Sequence, residues 1–111
     1  MENCLFCKIA NGNGEKVFEN EEFVIINDIN PQAKKHYLLI PKAHYDNITD
    51  FADKNSESLA RAFVLISNLK EELGLVDGFR VITNIGTNGC QSVKHVHIHI
   101  LGGEKLSEKM G

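Results

Sequence analysis

Apolar residues alternate with polar ones, or run together in short blocks, at five places along the chain. These blocks occupy residues 17–19, 22–29, 36–40, 79–84 and 95–100. Alternation with period two and short apolar blocks rich in Val and Ile are typical of β-strands. Pro41 also favours extended backbone at Ile40, the last residue of the third block. The sequence therefore predicts five strands.

A helical period replaces this pattern between residues 55 and 73. The apolar residues there recur at spacings of three and four, namely Leu59, Ala62, Phe63, Ile66, Leu69 and Leu73. Asn55 or Ser56 can cap the start of this helix and Gly74 its end. A short helix or turn is predicted over residues 4–11. Strands joined by short turns, with one long helix midway, predict an α+β fold with a mostly antiparallel five-stranded sheet.

Composition narrows the class of protein. A chain of 111 residues, 42% hydrophobic and 24% charged, is typical of one globular domain, predicted over residues 1–111. The formal net charge of −3 provides no basic footprint for nucleic acid, and no apolar run approaches the roughly 20 residues of a membrane span. The first residues lack a signal-peptide pattern, and three cysteines, an odd number, argue against a disulfide framework. We expect a cytoplasmic protein without nucleic-acid or membrane partners.

Three histidines on the last predicted strand are the strongest chemical signal. They alternate with aliphatic residues in the order His95, Val96, His97, Ile98, His99, Ile100. The imidazoles should project from one face of the strand, roughly 7 Å apart, and the aliphatic side chains from the other. We expect the long helix to cover the aliphatic face and to leave the imidazole face open to a ligand. The pattern by itself permits a solvated surface, a shared metal ion or nucleophilic chemistry.

A loop rich in small residues leads directly into this strand. Residues 86–92 include two glycines and end in Ser92. The backbone N–H groups of such a turn can cradle a phosphate, and a serine hydroxyl can donate to it. A neutral imidazole, with a reference pKa of about 6.5, is a good nucleophile toward phosphorus. The loop therefore favours nucleophilic chemistry over the other two interpretations.

The N-terminal sequence Cys4-Leu5-Phe6-Cys7 poses a separate question. A redox dithiol normally follows a strand and opens a helix, and almost no chain precedes this pair. Half of a zinc site fits the spacing better, and with only one further cysteine the remaining ligands should be histidines. Two free buried thiols are the alternative.

The order of these motifs resembles the histidine triad (HIT) superfamily, and most closely its histidine triad nucleotide-binding (Hint) branch. The resemblance covers nearly the whole chain. Besides the block from Gly89 to Gly103, the matching positions are Phe6, Asp28, Pro31, His36, Ile40-Pro41-Lys42, His44, Gly78-Phe79-Arg80 and Asn84. The resemblance implies a HIT-like fold, purine nucleotide binding, and hydrolysis or transfer at the α-phosphate through a covalent nucleotidyl-histidine. It also implies a homodimer whose sheet continues across the two subunits.

The resemblance assigns the histidines different tasks. His97, the central member, would attack the α-phosphorus, and His99 would contact the phosphate or the departing group. His95 would support the geometry of His97, with its backbone carbonyl fixing which ring nitrogen of His97 carries the proton. His36, on a separate strand, would be a further histidine near the nucleophile. No metal is predicted for the chemistry, because positioning and hydrogen bonds can stabilise the transition state.

Nucleotide contacts are implied around these histidines. Ser92 would donate to phosphoryl or leaving-group atoms, and Asn84 would be a polar contact on the phosphate side. Asp28 would accept both ribose hydroxyls, although from sequence alone it also fits a plain turn residue. The phosphate loop adds Cys90 and Gln91. The base pocket would be lined by apolar residues, namely Phe6, Ile9, Ile26, Ile29 and Leu38.

The resemblance also supplies partners for the cysteine pair. His44 and His95 would complete a zinc tetrahedron with Cys4 and Cys7, tying the N-terminal segment to the catalytic strand. One departure from the family pattern is Cys90, where glycine is usual. A positive φ there would strain a cysteine, whereas a position that only presents its backbone N–H to phosphate would accept one. A second departure is the C-terminal tail, so leaving-group preference is the least transferable part of the resemblance.

We therefore predict a HIT hydrolase of the Hint type that acts on purine nucleoside phosphoramidates or related nucleotides. One rival is a low-turnover nucleotide-binding sensor or adaptor dimer. Another is a metal-binding module in which all three strand histidines ligate a metal. An apolar base pocket discriminates adenine from guanine weakly, so both purines remain candidates.

Overall fold

Five short strands form one antiparallel sheet in the computed structural model, which describes residues 4–109. The strands are β1 (Phe18–Glu19), β2 (Phe23–Asn27), β3 (Lys35–Pro41), β4 (Phe79–Ile82) and β5 (Ile98–Gly102). Their spatial order is β1-β2-β3-β5-β4. The predicted α+β fold with a five-stranded antiparallel sheet is confirmed. Residues 1–3 and 110–111, which the single-domain prediction includes, lie outside the described residues.

Three helices accompany the sheet over residues 4–109, namely α1 (Leu5–Asn11), α2 (Ile48–Lys54) and α3 (Ser56–Leu69). The Asn55 side chain caps α3 by accepting a hydrogen bond from the Ser58 backbone N–H. Helix α2 was not predicted from the sequence, because its single buried residue, Phe51, produces no helical period. The longest of the three helices has 14 residues, and none is long and apolar enough to cross a membrane.

The long helix ends earlier than its apolar period suggests. α3 stops at Leu69, and the chain then turns through residues 70–74 to a glycine, Gly74, with φ 74°. Leu73 is buried although it lies outside the helix, and its carbonyl accepts a hydrogen bond from the Tyr37 hydroxyl at 2.9 Å. Burial of Leu73 therefore reflects packing on the sheet rather than a continued helix.

The two faces of the sheet bury two separate clusters. The face beneath α2 and α3 holds the larger one, which includes Val96, Ile98 and Ile100. The opposite face packs against α1 and holds a smaller cluster, formed by Phe6, Ala10, Val24, Leu38 and Ile40. The expectation that the long helix covers the aliphatic face of the histidine segment is confirmed.

The histidine segment is a strand only in its second half. β5 begins at Ile98, and the backbone N–H of Val96 donates instead to the Tyr45 carbonyl at 2.7 Å. The predicted strand over residues 95–100 is therefore shifted to Ile98–Gly102. The ring centroids of His97 and His99 lie 5.2 Å apart, closer than the roughly 7 Å expected from a flat strand. The predicted strands over residues 17–19, 22–29 and 79–84 are also shorter in the structure, as β1, β2 and β4.

Candidate active site and metal centre

His97 is 4% exposed, and one ring nitrogen anchors it. Its Nδ1 lies 2.8 Å from the backbone carbonyl oxygen of His95. A carbonyl oxygen can only accept, so Nδ1 carries the proton and Nε2 of the neutral ring keeps its lone pair. This tautomer is the one that a nucleophilic imidazole attacking through Nε2 requires.

Two aromatic rings flank the His97 imidazole. Phe6 meets it edge to face, with ring centroids 4.8 Å apart and an interplanar angle of 76°. His99 lies at 5.2 Å and 69°. Phe6, which the sequence analysis assigned to a base pocket, is thus in contact with the candidate nucleophile.

A hydrogen-bonded pair of imidazoles extends this arrangement onto β3. The Nε2 of His36 lies 2.9 Å from the Nδ1 of His99. The Gln32 backbone N–H donates to the other nitrogen of His36, Nδ1, at 2.9 Å. A neutral His36 therefore carries its proton on Nε2 and donates it to His99. His99 in turn carries its proton on Nε2, the nitrogen that does not face His36, and presents an N–H donor.

The surroundings of His99 favour its neutral form. Burial lowers its pKa below the ordinary value, and the neighbouring His97 and His36 lower the pKa further, while Asp28 acts in the opposite direction. A neutral His99 ring has one N–H donor, and its hydrogen bond with His36 decides which nitrogen carries that proton. A protonated ring would present two donors.

Asp28 belongs both to a turn and to this histidine cluster. Its Oδ1 accepts from the Asn30 backbone N–H at 2.8 Å, as expected of a turn residue. Its Oδ2 lies 3.3 Å from Nε2 of His36 and 3.8 Å from Nδ1 of His99. The structure thus shows the turn contact of Asp28 and adds contacts to two histidines, and the ribose contact stays a prediction.

The Asp28, His36 and His99 ligand atoms are close enough to hold a metal ion. A histidine that ligates a metal normally donates its remote N–H to an acceptor. The remote nitrogen of His36 instead accepts from the Gln32 N–H, so its Nε2 has no free lone pair. This cluster is suited to hydrogen bonding rather than to metal binding.

The loop before the histidines contains a strained residue. Cys90 has a φ of 60°, so the strain expected for a cysteine at this position is present. A Cβ atom on Gly89 would collide with the Ile85 carbonyl, which explains why this neighbouring residue is glycine. Ser92 is exposed, and Asn84 is half-buried.

The Gln91 side chain makes hydrogen bonds within the loop of residues 86–92 and to the backbone outside it. Its side-chain Oε1 accepts from the Gly86 backbone N–H at 3.0 Å. Its Nε2 donates to the carbonyls of Asp46 and Val93. In this structure the Gln91 side chain therefore supports the shape of the predicted phosphate loop.

A cavity of about 780 Å³ opens on the α1 side of the sheet. Three predicted base-pocket residues, Ile9, Ile26 and Ile29, line it together. Ile29 is 91% exposed and therefore forms part of the rim. Phe6 and Leu38 are buried in the adjoining apolar cluster and do not line this cavity.

One row of side chains connects the cavity to the histidines. Ile26 on β2 is directly opposite Leu38 on β3, and Leu38 is opposite His99 on β5. Directly opposed residues share a face of the sheet, and two strand spacings amount to about 10 Å. A nucleoside bound in the cavity could therefore place a phosphate near the imidazoles.

Two cysteines and two histidines converge beside the candidate active site. The ligand atoms of Cys4, Cys7, His44 and His95 all lie within 4.8 Å of one another. The four Sγ to Nδ1 distances are 3.2 to 3.5 Å, and the two Nδ1 atoms are 3.1 Å apart. A tetrahedron with zinc–sulfur bonds of about 2.3 Å and zinc–nitrogen bonds of about 2.0–2.1 Å has edges of about 3.3–3.6 Å between these atoms. The geometry fits a zinc ion.

Hydrogen bonds also select the tautomers that metal binding needs. The Nε2 of His95 lies 2.8 Å from the Pro41 carbonyl oxygen, and that of His44 lies 3.1 Å from Oδ1 of Asp46. Both acceptors place the proton on Nε2 and leave Nδ1 free toward the cysteines. Burial and the neighbouring thiol raise the pKa of Cys7 to about 11, so a bound cation would displace a proton there. The donor set therefore fits zinc chemically as well as geometrically.

Comparison with known proteins agrees with this fold and histidine arrangement. Residues 3–111 match the family model described as scavenger mRNA decapping enzyme C-term binding. The structure of a histidine triad protein from Clostridium difficile is 42% identical, with a TM-score of 0.91, and the match covers 99% of this chain and 98% of that one. The chain belongs to the histidine triad (HIT) family. The predicted resemblance to the HIT superfamily is confirmed.

Two further similarities bear on the HIT chain. A HIT family hydrolase from Clostridium thermocellum has a TM-score of 0.88 and 37% identity, over 99% of this chain and 98% of that one. A Zea mays protein named 14 kDa zinc-binding protein is 40% identical over 94 residues, covering 82% of this chain and 73% of its own length. The chain is thus a member of the HIT hydrolase superfamily.

Three groups of this HIT site were not predicted from the sequence. Gln32 and Pro41 each contribute a backbone atom, and no side-chain pattern announces such a contact. Asp46 contributes a carboxylate to His44. The two-residue spacing from His44 to Asp46 was a usable signal, because metal-binding histidines commonly donate to a carboxylate.

Proposed function

We propose that this HIT protein hydrolyses purine nucleoside phosphoramidates, or related nucleotides, at the α-phosphate through a covalent nucleotidyl-His97. The observation that carries this is the 2.8 Å contact between Nδ1 of His97 and the His95 carbonyl, which leaves Nε2 as a neutral nucleophile. Similarity to the Clostridium thermocellum hydrolase supports hydrolytic chemistry. The resemblance of the triad and its loop to the Hint branch supports the phosphoramidate class.

The proposed reaction consists of two displacements at phosphorus. The Nε2 lone pair of His97 forms an N–P bond while the bond from phosphorus to the leaving amine breaks. The amine nitrogen takes that electron pair and a proton from solvent. Water then attacks the same phosphorus and releases a proton, and the N–P electrons return to His97. The Nε2–H of His99 is the donor that stabilises the phosphoryl charge or the departing group.

The nucleotide would extend from the cavity to the histidines. The purine would occupy the space lined by Ile9, Ile26 and Ile29. The ribose hydroxyls would donate to Asp28, and Ser92 would donate to the phosphoryl or leaving-group atoms. The row from Ile26 through Leu38 to His99 supports this direction of binding.

Zinc is proposed as a structural ion. Cys4, Cys7, His44 and His95 would hold it, and it would tie α1 to the segment that precedes β5. The zinc-binding name of the similar maize protein supports the metal. Cys4, Cys7 and Cys90 form no disulfide in the described residues, which suits a reducing compartment, and we propose the cytoplasm.

A homodimer is proposed through the edge of the sheet. β4 lies at the end of the strand order and pairs only with β5 among the described strands. Its residues Phe79 and Val81 are apolar and exposed. A second copy pairing along β4 would satisfy the free edge and cover these side chains.

The decisive experiment measures hydrolysis of adenosine and guanosine phosphoramidates by the unmodified protein and by His97→Asn. We expect turnover by the unmodified protein and loss of at least about 10³-fold in the variant, because the nucleophile is gone. Acid quenching during turnover should trap protein heavier by one nucleoside monophosphate unit, as measured by mass spectrometry. Val64→Ala, an exposed position on α3, is the matched control and should retain full turnover.

Three other results would overturn the proposal. Nucleotide binding without hydrolysis would favour the sensor or adaptor. Loss of zinc in His97→Asn would favour the metal-binding module. Hydrolysis that persists in His97→Asn would exclude His97 as the nucleophile.

A further inference from the structure

Leu5 and Phe6 lie between the two cysteines of the candidate metal centre, and of these two only Phe6 has a buried side chain. It lies on α1, and its ring packs edge to face on His97 at 4.8 Å and lies 6.4 Å from the ring of His95. Leu5, the other residue at the start of the helix, is 54% exposed. The Cys-x-x-Cys spacing therefore delivers one aromatic ring to the candidate nucleophile.

One hydrogen bond does not hold an imidazole in a single orientation. The bond from Nδ1 of His97 to the His95 carbonyl permits the ring to tilt about the N–O direction. Phe6 restricts that tilt from one direction and His99 from another. The line along which Nε2 points is therefore set jointly by a hydrogen bond and by packing.

The position of Phe6 depends in turn on how α1 is attached. A helix of seven residues is not stable by itself in water. Its first turn is organised by Cys4, whose Sγ accepts from the Cys7 backbone N–H at 3.2 Å. Both sulfur atoms then face His44 and His95, so a metal bound there would join α1 to the rest of the fold.

We propose that Phe6 is a positioning residue for His97, and that the Cys4, Cys7, His44 and His95 centre keeps it in place. The proposal deepens the proposed function and rests on it for its kinetic part. Phe6 acts through the orientation of His97 and is not among the side chains that line the cavity formed by Ile9, Ile26 and Ile29. Loss of the metal would release the Phe6 ring and let the His97 imidazole reorient. The groups that contact the substrate would stay the same.

The kinetic test compares Phe6→Leu, which removes the ring, with Phe6→Tyr, which keeps it. We expect kcat to fall about tenfold or more in Phe6→Leu with little change in KM, since misdirection of a reacting atom affects the chemical step. Phe6→Tyr should retain most of the kcat of the unmodified protein. Leu5→Ala, at the exposed neighbouring position, is the matched control and should leave kcat, KM and zinc content unchanged. A raised KM with unchanged kcat would overturn the proposal in favour of a base-lining role.

A second test needs no turnover. Long-range ¹H–¹⁵N spectra of the histidine rings report the tautomer of His97 and the ring-current shift that Phe6 imposes on it. Removal of zinc from the unmodified protein should move the His97 signals toward those of Phe6→Leu, and should move them much less in Phe6→Leu itself. Zinc content measured on each folded variant should show that Phe6→Leu retains the metal. Unchanged His97 signals after zinc removal would overturn the proposal.

The two tests separate the possible failures. If the unmodified protein hydrolyses no phosphoramidate, the proposed function fails, while the spectra still decide whether Phe6 positions His97. If hydrolysis is present but both variants match the unmodified protein, the proposed function stands and the positioning role is excluded.

Discussion

The Sγ of Cys4 and the Nδ1 of His95 lie 3.2 Å apart, although 91 positions separate them along the chain. The same His95 accepts a hydrogen bond from His97 through its backbone carbonyl. One residue therefore belongs to the candidate metal centre by its side chain and to the candidate active site by its backbone. This double attachment makes the state of the metal centre relevant to the chemistry beside it.

The metal centre leads to the first prediction. We expect about one zinc ion per chain by elemental analysis, and almost none in Cys7→Ser. The variant should lose several kcal/mol of stability, with Tm lower by about 10 °C or more, because metal binding is coupled to folding. Cys90→Ser, which removes the one cysteine outside the centre, should keep its zinc. A protein whose Tm responds neither to zinc nor to a chelator would contradict a structural zinc site.

The second prediction concerns Asp28. If its carboxylate accepts the ribose hydroxyls, Asp28→Asn should raise KM for a ribonucleoside phosphoramidate by about tenfold, the loss expected for hydrogen bonds to a charged acceptor. The matched substrate lacks both hydroxyls, and its KM should change much less. Comparing two substrates on one variant removes effects that act through His36 and His99. Equal changes for both substrates would limit Asp28 to the histidine cluster.

The third prediction follows from the backbone of Cys90. Its φ of 60° strains a residue with a Cβ atom, and glycine removes that strain while adding entropy to the unfolded chain. We expect Cys90→Gly to raise the free energy of unfolding by about 1 kcal/mol, measured by urea denaturation. Cys90→Ala retains the strain and should show no such gain. A destabilised glycine variant would mean that the cysteine side chain itself stabilises the loop.

The fourth prediction concerns pH and His99. Burial, then His97 and His36, lower the pKa of His99 in the folded protein, and Asp28 opposes them. In the unfolded chain the group returns to its ordinary value near 6.5, so below that pH the unfolded state binds the proton more readily. The stability associated with a neutral His99 is therefore lost as pH falls below about 6.5.

Urea denaturation at a series of pH values, with zinc kept saturating, tests this expectation. Over an assay range from about pH 7.5 to about pH 5.5, the free energy of unfolding of the unmodified protein should decrease more steeply than that of His99→Gln. Using one zinc concentration for both proteins cancels any shared effect of acid on the metal centre. Parallel pH slopes would show that His99 protonates equally in the folded and unfolded states.

The alternation of His95 to Ile100 shows how much of the fold could be predicted from the sequence. Period-two alternation assigned the aliphatic members to the helix-covered core, and the structure places them there. The same pattern could not show where the strand begins, because Val96 donates to Tyr45 rather than to a neighbouring strand. Helix α2 was missed for a related reason, since one buried Phe51 in seven residues is too weak a period to detect.

The candidate site was also predictable from the sequence only in part. Residue types and spacings indicated a cysteine pair, a histidine triad and a small-residue loop, because each of these is written within a few consecutive positions. The tautomers of His36, His95 and His97 depend on carbonyl or N–H groups of the folded backbone, which have no side-chain signature. Only the tertiary structure could assign them.

The sequence by itself determined the number of strands, the core-facing side of the histidine segment and the donor types available for chemistry. These are local properties of hydrophobic period and side-chain identity. Only the tertiary structure decided that Phe6 meets His97, that Cys4 meets His95 and that Ile29 lies at the rim of a cavity. Such contacts join distant parts of the chain, and they arise from the pairing of β3 with β5 and the docking of α1, which no local pattern encodes.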